Sequence, residues 1–302
     1  MIEDWALFAI IAAFFQNLRS ALQKHLKGRL SDGGAAYVRF LYALPIAIAY
    51  LYWLVVPGGQ PLPTVNPIFL AYCLLGGLCQ IMFTVFLLKL FSFHSFAVGT
   101  TFSKLEVMMV AILGAIILGD GLTKVAIIAI AISTIGVVAL SMGQAKLTLS
   151  AMLNGLTNRA TLMGLICALW LGGSVVFFRG ASLSLNHDSI LVSAAFTLVI
   201  SLGIQTLIMG IYLGFKTDQI PAVIKQWRWA STVGITGGLA SIAWFTAFTI
   251  ENASYVRAVG QIELIFTFLV TLFVFKEKVS KAEAFGIILV AGGIILLLLE
   301  NT

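Results

Sequence analysis

KLEVMMVAILGAIILGDGLTK, residues 104–124, has a counterpart 157 positions later in QIELIFTFLVTLFVFKEKVSK, residues 261–281. In each stretch an acid within an apolar run is followed fourteen positions later by a second acid, and then by a Ser/Thr–Lys pair. Matching leucines and isoleucines carry little information, because any two apolar helices share them. The acids and the turn at fixed spacing predict that the chain contains an internal repeat.

The repeat extends beyond these two stretches. Gly136 falls on Gly293 at the same offset, and GGLCQIMF at 76–83 resembles GGLASIAW at 237–244 after a shift of four residues. We therefore divide the chain into a first repeat at 1–145 and a second repeat at 146–302. Residues 143–159 are polar and are predicted to link the two.

The composition indicates that the chain lies in a bilayer. It is 60% hydrophobic and 10% charged, with a mean hydropathy of +1.05, whereas a soluble domain carries about 25% charged residues. Spanning helices need about 20 mainly apolar residues, and ten such segments can be marked: 5–25, 34–56, 67–90, 95–118, 123–142, 160–181, 188–214, 228–249, 252–275 and 280–299. Five spans per repeat is an odd number, so the second copy should be inverted in the membrane. The predicted fold is an all-α integral membrane protein with ten transmembrane helices in two inverted five-helix repeats.

Basic residues are distributed unevenly among the connections between spans. Twelve of the 18 lysines and arginines lie in connections 1–2, 3–4, 5–6, 7–8 and 9–10, against Lys124 alone on the opposite side. By the positive-inside rule, the twelve face the cytoplasm and both termini lie outside. The net charge of +6 is thus explained by membrane orientation, and no nucleic-acid partner is predicted.

The turns LGDGLTK and FKEKVSK, each preceded by an acid and followed by a Gly-rich helix, resemble the EamA domain, the repeat unit of the drug/metabolite transporter superfamily. The resemblance covers both halves. It implies a central cavity lined by helices 1, 3, 4, 6, 8 and 9, and transport of amino acids, other small metabolites or cationic drugs. Many members follow the helix-4 and helix-9 glutamate with proline; Val107 and Leu264 stand there in this chain, so the usual cause of a helix break is absent. Members are also often drawn with cytoplasmic termini, against the charge distribution found here.

Two glutamates lie deep within predicted spans four and nine. Glu106 and Glu263 are each about 20 Å from the turn that follows, too far for the side chains to reach the interface. Ionisable residues at such depth are by default functional, so both are candidates for substrate binding and for carrying a coupling proton. The alternative is a structural pair, in which each acid bonds to a neighbouring helix.

Two cations lie near these acids in the sequence. Arg257 is about 240° around an uninterrupted helix from Glu263, so these two are not expected to pair, and Gln261 follows Arg257 on its own face. Lys104 is two residues from Glu106 and points elsewhere. Charge balance suggests cross-helix pairs instead, Lys104 with Glu263 or Arg257 with Glu106. For Arg257, the alternative is a side chain that extends to the nearby interface.

Further polar and aromatic residues are candidates for lining the cavity. A polar stripe in span one recurs at helical spacing, which indicates either a wet cavity or a polar seam between helices. The stripe comprises Gln16, Arg19, Ser20 and Gln23, with Asn17 beside it. The aromatic residues of span eight either wall a pocket or pack. The predicted substrate-binding residues are Gln16, Asn17, Arg19, Gln80, Lys104, Glu106, Trp244, Tyr255, Arg257, Gln261 and Glu263.

The repeat and the embedded charges predict a secondary transporter that moves a small polar metabolite by alternating access, with proton coupling as an option. The alternative is proton-coupled export of lipophilic or quaternary-ammonium cations. No nucleophile–base pair or metal-ligand spacing indicates an enzyme, a metal or a cofactor. Embedded cations outnumber the two embedded acids, which favours an amino acid-like zwitterion or a carboxylate over a bare cation. These cations are Arg19, Arg39, Lys104, Arg179 and Arg257.

The expected setting is a membrane. We expect a multi-pass protein of the bacterial inner membrane, whose partners are a small-molecule substrate and the lipid bilayer. A monomer is expected, with a homodimer as the alternative.

Overall fold

The structure, a computed structural model, describes residues 3–26, 30–90, 101–146, 148, 150, 158–216, 219–273 and 280–300, and every structural statement concerns this part of the chain. Its regular elements are helices. They are α1 (Asp4–Leu26), α2 (Asp32–Leu41), α3 (Leu44–Val55), α4 (Pro67–Leu90), α5 (Glu106–Ile117), α6 (Lys124–Gln144), α7 (Arg159–Ser184), α8 (Ile190–Lys216), α9 (Gln219–Lys225), α10 (Trp227–Ile250), α11 (Ala253–Gly260), α12 (Ile262–Phe273) and α13 (Lys281–Glu300).

Seven stretches of the described chain are long and apolar enough to cross a bilayer: Gly33–Val55, Pro67–Leu87, Lys124–Gln144, Arg159–Ser184, Ile190–Phe215, Trp227–Ile250 and Lys281–Glu300. The prediction of a helical, multi-pass membrane protein is thus confirmed for the described residues. Three predicted spans, 5–25, 95–118 and 252–275, are not among the seven. The second and third are broken by turns or lie partly outside the described residues. The count of ten spans stays a prediction.

The helices form two compact units, which are described separately. Unit 1 comprises Met1–Ile10, Cys79–Val176 and Glu251–Thr302, and unit 2 comprises Ile11–Leu78 and Phe177–Ile250. Each unit draws on both halves of the sequence, so the units are a different division from the two repeats. The boundary between repeats at residues 145 and 146 stays a prediction.

In unit 1, α6 and α13 pack closely through glycines. A methyl group added at Gly136 would lie 2.7 Å from the Gly286 carbonyl oxygen, and one added at Gly293 would lie 2.7 Å from the Ala129 carbonyl oxygen. Residues later in α6 therefore meet residues earlier in α13, so the two helices run antiparallel. Because Gly136 and Gly293 are counterparts in the repeat, this is the packing that inverted copies require of these two helices.

Gly293→Ala is expected to lower the free energy of unfolding by about 1–3 kcal/mol, because the new methyl group would overlap the backbone of α6. The matched control is Gly292→Ala, since Gly292 is exposed and has open space where a methyl group would be added. The control should be neutral or stabilising by up to about 1 kcal/mol, because alanine is the better helix former. Thermal melts in one detergent measure both variants, and equal melting temperatures would contradict this packing.

Unit 2 contains a bend between α2 and α3. The chain turns at Tyr42 and Ala43, and Pro45 occupies the first turn of α3, where a missing backbone N–H is tolerated. Gly234 of α10 packs against this bend, since a methyl group added there would lie 2.6 Å from the Tyr42 carbonyl carbon. The predicted span at 34–56 is therefore two helices joined by a bend.

Candidate functional site

Two helix breaks in unit 1 lie directly before the embedded glutamates. The chain turns at Lys104 and Leu105 before α5, and at Gln261 between α11 and α12. At the first break, the Leu105 N–H donates to the Phe102 carbonyl over 3.1 Å. At the second, the Gln261 N–H donates to the Ala258 carbonyl over 3.2 Å. Both bonds reach three residues back, which tightens the chain relative to an α-helix. Lys104 and Gln261 are counterparts at the repeat offset, so the breaks recur in both halves.

Both breaks form without proline, so the absence of proline after Glu106 and Glu263 does not prevent a break in these helices. In a bilayer, irregular backbone is tolerated only where it is buried in protein or lines a water-filled cavity. Broken helices at membrane depth are typical of the substrate sites of secondary transporters. The two breaks therefore mark this part of unit 1 as the candidate site.

Arg257 of α11 and Glu106 of α5 form a buried ion pair. The Arg257 Nη2 donates to the Glu106 Oε1, and the two residues are 8% and 7% exposed. This is one of the two cross-helix pairs that charge balance suggested. An isolated charge at membrane depth costs at least about 2.5 kcal/mol, so each partner makes the burial of the other tolerable.

Glu263, half-buried in the first turn of α12, also interacts electrostatically with Arg257. The separation of about 240° holds only for an uninterrupted helix, and the break at Gln261 removes that premise. Glu106 likewise lies in the first turn of a helix, where the helix dipole stabilises a carboxylate by about 0.3–1 kcal/mol. Glu106, Arg257 and Glu263 together carry one surplus negative charge when all three groups are ionised.

The N-terminus of α11 is fixed by Asn252 and Ser254, which were not among the predicted residues. The Asn252 side-chain oxygen accepts a hydrogen bond from the Ser254 N–H over 3.0 Å and another from the Ser254 hydroxyl over 2.8 Å. Asparagine before a helix is a strong N-cap signal, so NAS at 252–254 could have identified this cap. The cap positions α11, and with it Arg257, which lies about one turn further on.

Tyr255 contacts the start of α6. Its hydroxyl accepts a hydrogen bond from the Thr123 N–H over 3.4 Å, and the Thr123 hydroxyl caps α6 by accepting from the Ala126 N–H over 3.1 Å. Tyr255 is two residues from Arg257, so the two side chains project from different sides of α11. Nothing in the structure tests its predicted role in substrate binding, and the bond from Thr123 favours a structural role for the Tyr255 hydroxyl.

Tyr255→Phe is expected to cost about 0.5–1.5 kcal/mol of folding stability, because the Thr123 N–H loses its acceptor. The apparent KM for substrate should not change. Thermal melts and transport kinetics measure the two effects, and Tyr52→Phe, on a side chain that is 62% exposed, is the control that should alter neither. A raised KM with an unchanged melting temperature would instead assign Tyr255 to the substrate.

The other predicted residues of unit 1 lie at the breaks or in α4. Lys104 is half-buried at the first break, and Gln261 is 3% exposed at the second. Gln80 is half-buried in α4, where its backbone carbonyl accepts from the Thr84 hydroxyl over 3.0 Å. The substrate-binding role of all three stays a prediction.

In unit 2, Gln16 of α1 bonds to Trp244 of α10. The Trp244 indole N–H donates to the Gln16 side-chain oxygen over 3.0 Å. The indole is 7% exposed and stacks on Phe248, with ring centroids 5.5 Å apart and planes 14° apart. Asn17, next along the chain from Gln16, is half-buried. These contacts match the polar-seam interpretation of the α1 stripe.

Two further embedded arginines of unit 2 contact α10. Arg19 is 8% exposed, and its Cδ would lie 3.1 Å from a methyl group added at Gly237. The Arg179 Nη1 donates over 2.5 Å to the Phe248 carbonyl, which satisfies one of the carbonyls that a helix end leaves open. One fewer embedded cation is therefore available to a substrate than the sequence suggests, because the Arg179 guanidinium is held at a helix end.

The chain is similar to known proteins in both sequence and fold. The sequence profile of the "EamA-like transporter family" matches residues 4–142 and again residues 158–299. A solved structure described only as "Crystal structure of protein" matches over 98% of this chain and 97% of its own, with a TM-score of 0.71 and 16% identity. At that identity the likeness shows the fold alone. No curated protein matches the chain.

Proposed function

Because the chain belongs to the EamA-like transporter family, whose members are membrane transporters and not enzymes, we propose that it moves a small zwitterionic metabolite, such as an amino acid, by alternating access. The observation that carries this proposal is the buried Arg257–Glu106 pair, with Glu263 acting on it, at two helix breaks. We further propose that this multi-pass protein works as a monomer in the bacterial inner membrane.

Charge balance favours a zwitterion over a simple carboxylate. With all three groups ionised, the cluster of Glu106, Arg257 and Glu263 already has one surplus negative charge, and a carboxylate substrate would add another where charge is costly. A zwitterion adds no net charge. Its carboxylate suits the guanidinium, which offers paired donors to carboxylate oxygens, and its ammonium group suits a glutamate.

Substrate binding is proposed to be an exchange of ion-pair partners. The substrate carboxylate replaces Glu106 on Arg257, and Glu106 or Glu263 then receives the ammonium group. Removing one partner of a buried pair costs about 3–5 kcal/mol, so the exchange is favourable only for a substrate that supplies both charges. A substrate that binds the opened pair in preference to the closed pair can shift the conformational equilibrium, as alternating access requires.

Proton coupling is proposed from the same surplus charge. A proton on either glutamate makes the three groups neutral together. The substrate-free protein can therefore change back to its starting conformation with a proton on a glutamate in place of the substrate ammonium group. Glu106 is held by Arg257, whereas Glu263 is only half-buried. Glu263 is therefore our first candidate for the coupling proton, with Glu106 as the second.

The moving element is proposed to be α11. This helix of eight residues carries Arg257 and lies between the Asn252 cap and the turn at Gln261. Hinges are commonly a few residues at the ends of elements that absorb changes in φ and ψ. A short helix between two such points can shift Arg257 without displacing a whole span.

One observation favours a second candidate, proton-coupled export of lipophilic or quaternary-ammonium cations. Glu106 and Glu263 both act on Arg257, so the three groups together carry a negative charge, which suits a cation. In this case Glu263 would bind the cation and the proton in turn. The Arg257–Glu106 pair would then stay closed during transport, whereas the first proposal requires it to open.

A thermal-shift screen of the purified chain against amino acids, organic acids and quaternary amines tests the proposal. A ligand at 100 times its Kd stabilises a protein by about 2.7 kcal/mol, and we expect such stabilisation from one or more amino acids. The compounds that stabilise the chain are then assayed for flux in reconstituted vesicles. Stabilisation by quaternary amines alone would favour the second candidate, and stabilisation without flux for every compound would contradict both.

A further inference from the structure

The junction between α9 and α10 exposes two basic and three large apolar side chains. Ile224 is 58% exposed, Trp227 56% and Trp229 40%, and Lys225 and Arg228 are exposed among them. These five residues are termed the junction patch. The segment QIPAVIKQWRW, residues 219–229, contains no acidic residue, so no acid within the segment neutralises its two positive charges.

The junction patch stands on a buried scaffold. Val223 and Ala230 are both 0% exposed, and the Val223 carbonyl accepts from the Tyr42 hydroxyl over 3.5 Å. The Gln226 N–H donates to the Ala222 carbonyl over 3.3 Å, and the Gln226 carbonyl accepts from the Ala230 N–H over 3.0 Å. The chain thus keeps its backbone hydrogen bonding through the junction, which holds the exposed side chains on a defined backbone.

Cations and apolar side chains alternate within the junction patch. Ile224 and Lys225 lie in the last turn of α9, and Trp227, Arg228 and Trp229 lie in the first turn of α10. The Arg228 guanidinium carbon lies 5.6 Å from the Trp227 ring centroid, which is a cation–π distance. A positive charge therefore lies directly beside an exposed aromatic ring.

The junction patch lies at one end of a membrane-spanning stretch, because Trp227 begins the apolar helix Trp227–Ile250. Tryptophan is enriched at the level of the lipid headgroups, and lysine and arginine at that level are attracted to anionic lipids. We propose that the junction patch binds an anionic phospholipid, with Lys225 and Arg228 on the headgroup phosphate. The apolar residues of the patch then contact the glycerol and the first acyl carbons. This binding uses none of the residues of the proposed substrate site.

The effect of removing both cations can be estimated. Each lysine or arginine near an anionic surface contributes about 1 kcal/mol, or about fivefold in affinity. Lys225→Gln combined with Arg228→Gln should therefore weaken lipid binding by roughly 30-fold. The matched control is Lys124→Gln, at an exposed lysine that begins α6 and is followed by Val125 in place of an aromatic residue.

The test is a titration of the purified full chain, in a neutral detergent, with a short-chain phosphatidylglycerol. Melting temperature and native mass spectrometry report lipid binding. We expect wild type and Lys124→Gln to gain stability and retain the lipid at the same concentrations, and the double variant to require roughly 30-fold more. Native mass spectrometry counts bound lipid directly. It therefore still compares lipid binding between the variants if the double variant has a different melting temperature before lipid is added.

Three results would overturn the proposal. If phosphatidylcholine of the same chain length binds equally well, the headgroup charge is not recognised. If inorganic phosphate at the same concentrations produces the same stabilisation, the ligand is a free anion and not a lipid. If the double variant binds phosphatidylglycerol as wild type does, the binding does not depend on Lys225 and Arg228.

Discussion

Arg257→Ala is expected to abolish transport and to lower the free energy of unfolding by about 3–5 kcal/mol. Glu106 is 7% exposed and is paired with Arg257, so the substitution leaves a buried carboxylate without its guanidinium. The same substitution removes the proposed partner of the substrate carboxylate. Thermal melts in detergent measure the loss of stability, and flux in reconstituted vesicles measures the loss of transport.

A double substitution separates the structural effect from the functional one. Arg257→Met combined with Glu106→Leu replaces both charges by apolar side chains, and such replacements of buried pairs are often neutral or stabilising. The free energy of unfolding should return close to the wild-type value while transport remains absent. Wild-type melting of Arg257→Ala alone would contradict the buried pair, and transport by the double variant would exclude the guanidinium from the mechanism.

Glu263→Gln is expected to remove the pH response of transport and to weaken substrate binding about 10- to 100-fold. Hydrogen bonds to charged groups are worth about 1.5–3 kcal/mol, and glutamine neither ionises nor carries the coupling proton. The protein should remain folded, because Glu263 is half-buried and glutamine has nearly the same size. Flux measured in vesicles over a range of pH, together with binding measured by thermal shift, tests this expectation.

Glu283→Gln is the matched control for this substitution. Glu283 lies in the first turn of α13, where its side chain accepts from the Ser280 N–H over 2.7 Å. Glutamine serves equally at this capping position, so the pH response of transport should persist. If Glu263→Gln keeps full, pH-responsive flux, both the substrate role and the proton role of Glu263 are wrong.

The two embedded glutamates of unit 1 could be identified from the sequence because they recur at a fixed spacing. Glu106 and Glu263 occupy matching positions in the two repeats, and this alone identifies both as candidate site residues. The pairing of Arg257 with Glu106 was one of two cross-helix pairs suggested by charge balance, since separate burial of the two charges would be costly. The same repeat pointed to the family whose profile matches both halves of the chain.

The helix breaks were not predictable from local sequence. Without a proline, nothing near Val107 or Leu264 distinguishes one continuous helix from two helices joined by a tight turn. Beside the breaks, residues that are far apart in the sequence are in contact, above all Arg257 and Glu106 in their ion pair. Only the Asn252 cap carried a local signal, because asparagine is favoured before a helix.

The number of embedded cations in the sequence overstates how many are available to bind a substrate. Arg179 was counted as an embedded cation available to an anionic substrate, yet it donates to the backbone carbonyl of Phe248. Every residue has a backbone carbonyl, so composition cannot reveal which cation is held at a helix end. The proposal therefore narrows from a zwitterion or a carboxylate to a zwitterion.

Uptake of one amino acid and its two single-charge analogues by the wild-type protein in reconstituted vesicles tests the central claim most directly. The analogues are the methyl ester, which keeps only the positive charge, and the deaminated acid, which keeps only the negative charge. Each lacks one charged interaction worth about 1.5–3 kcal/mol, so the amino acid should be transported at least about tenfold more efficiently than either analogue. Transport of the ester as efficiently as the amino acid would contradict the exchange at Arg257 and favour cation export.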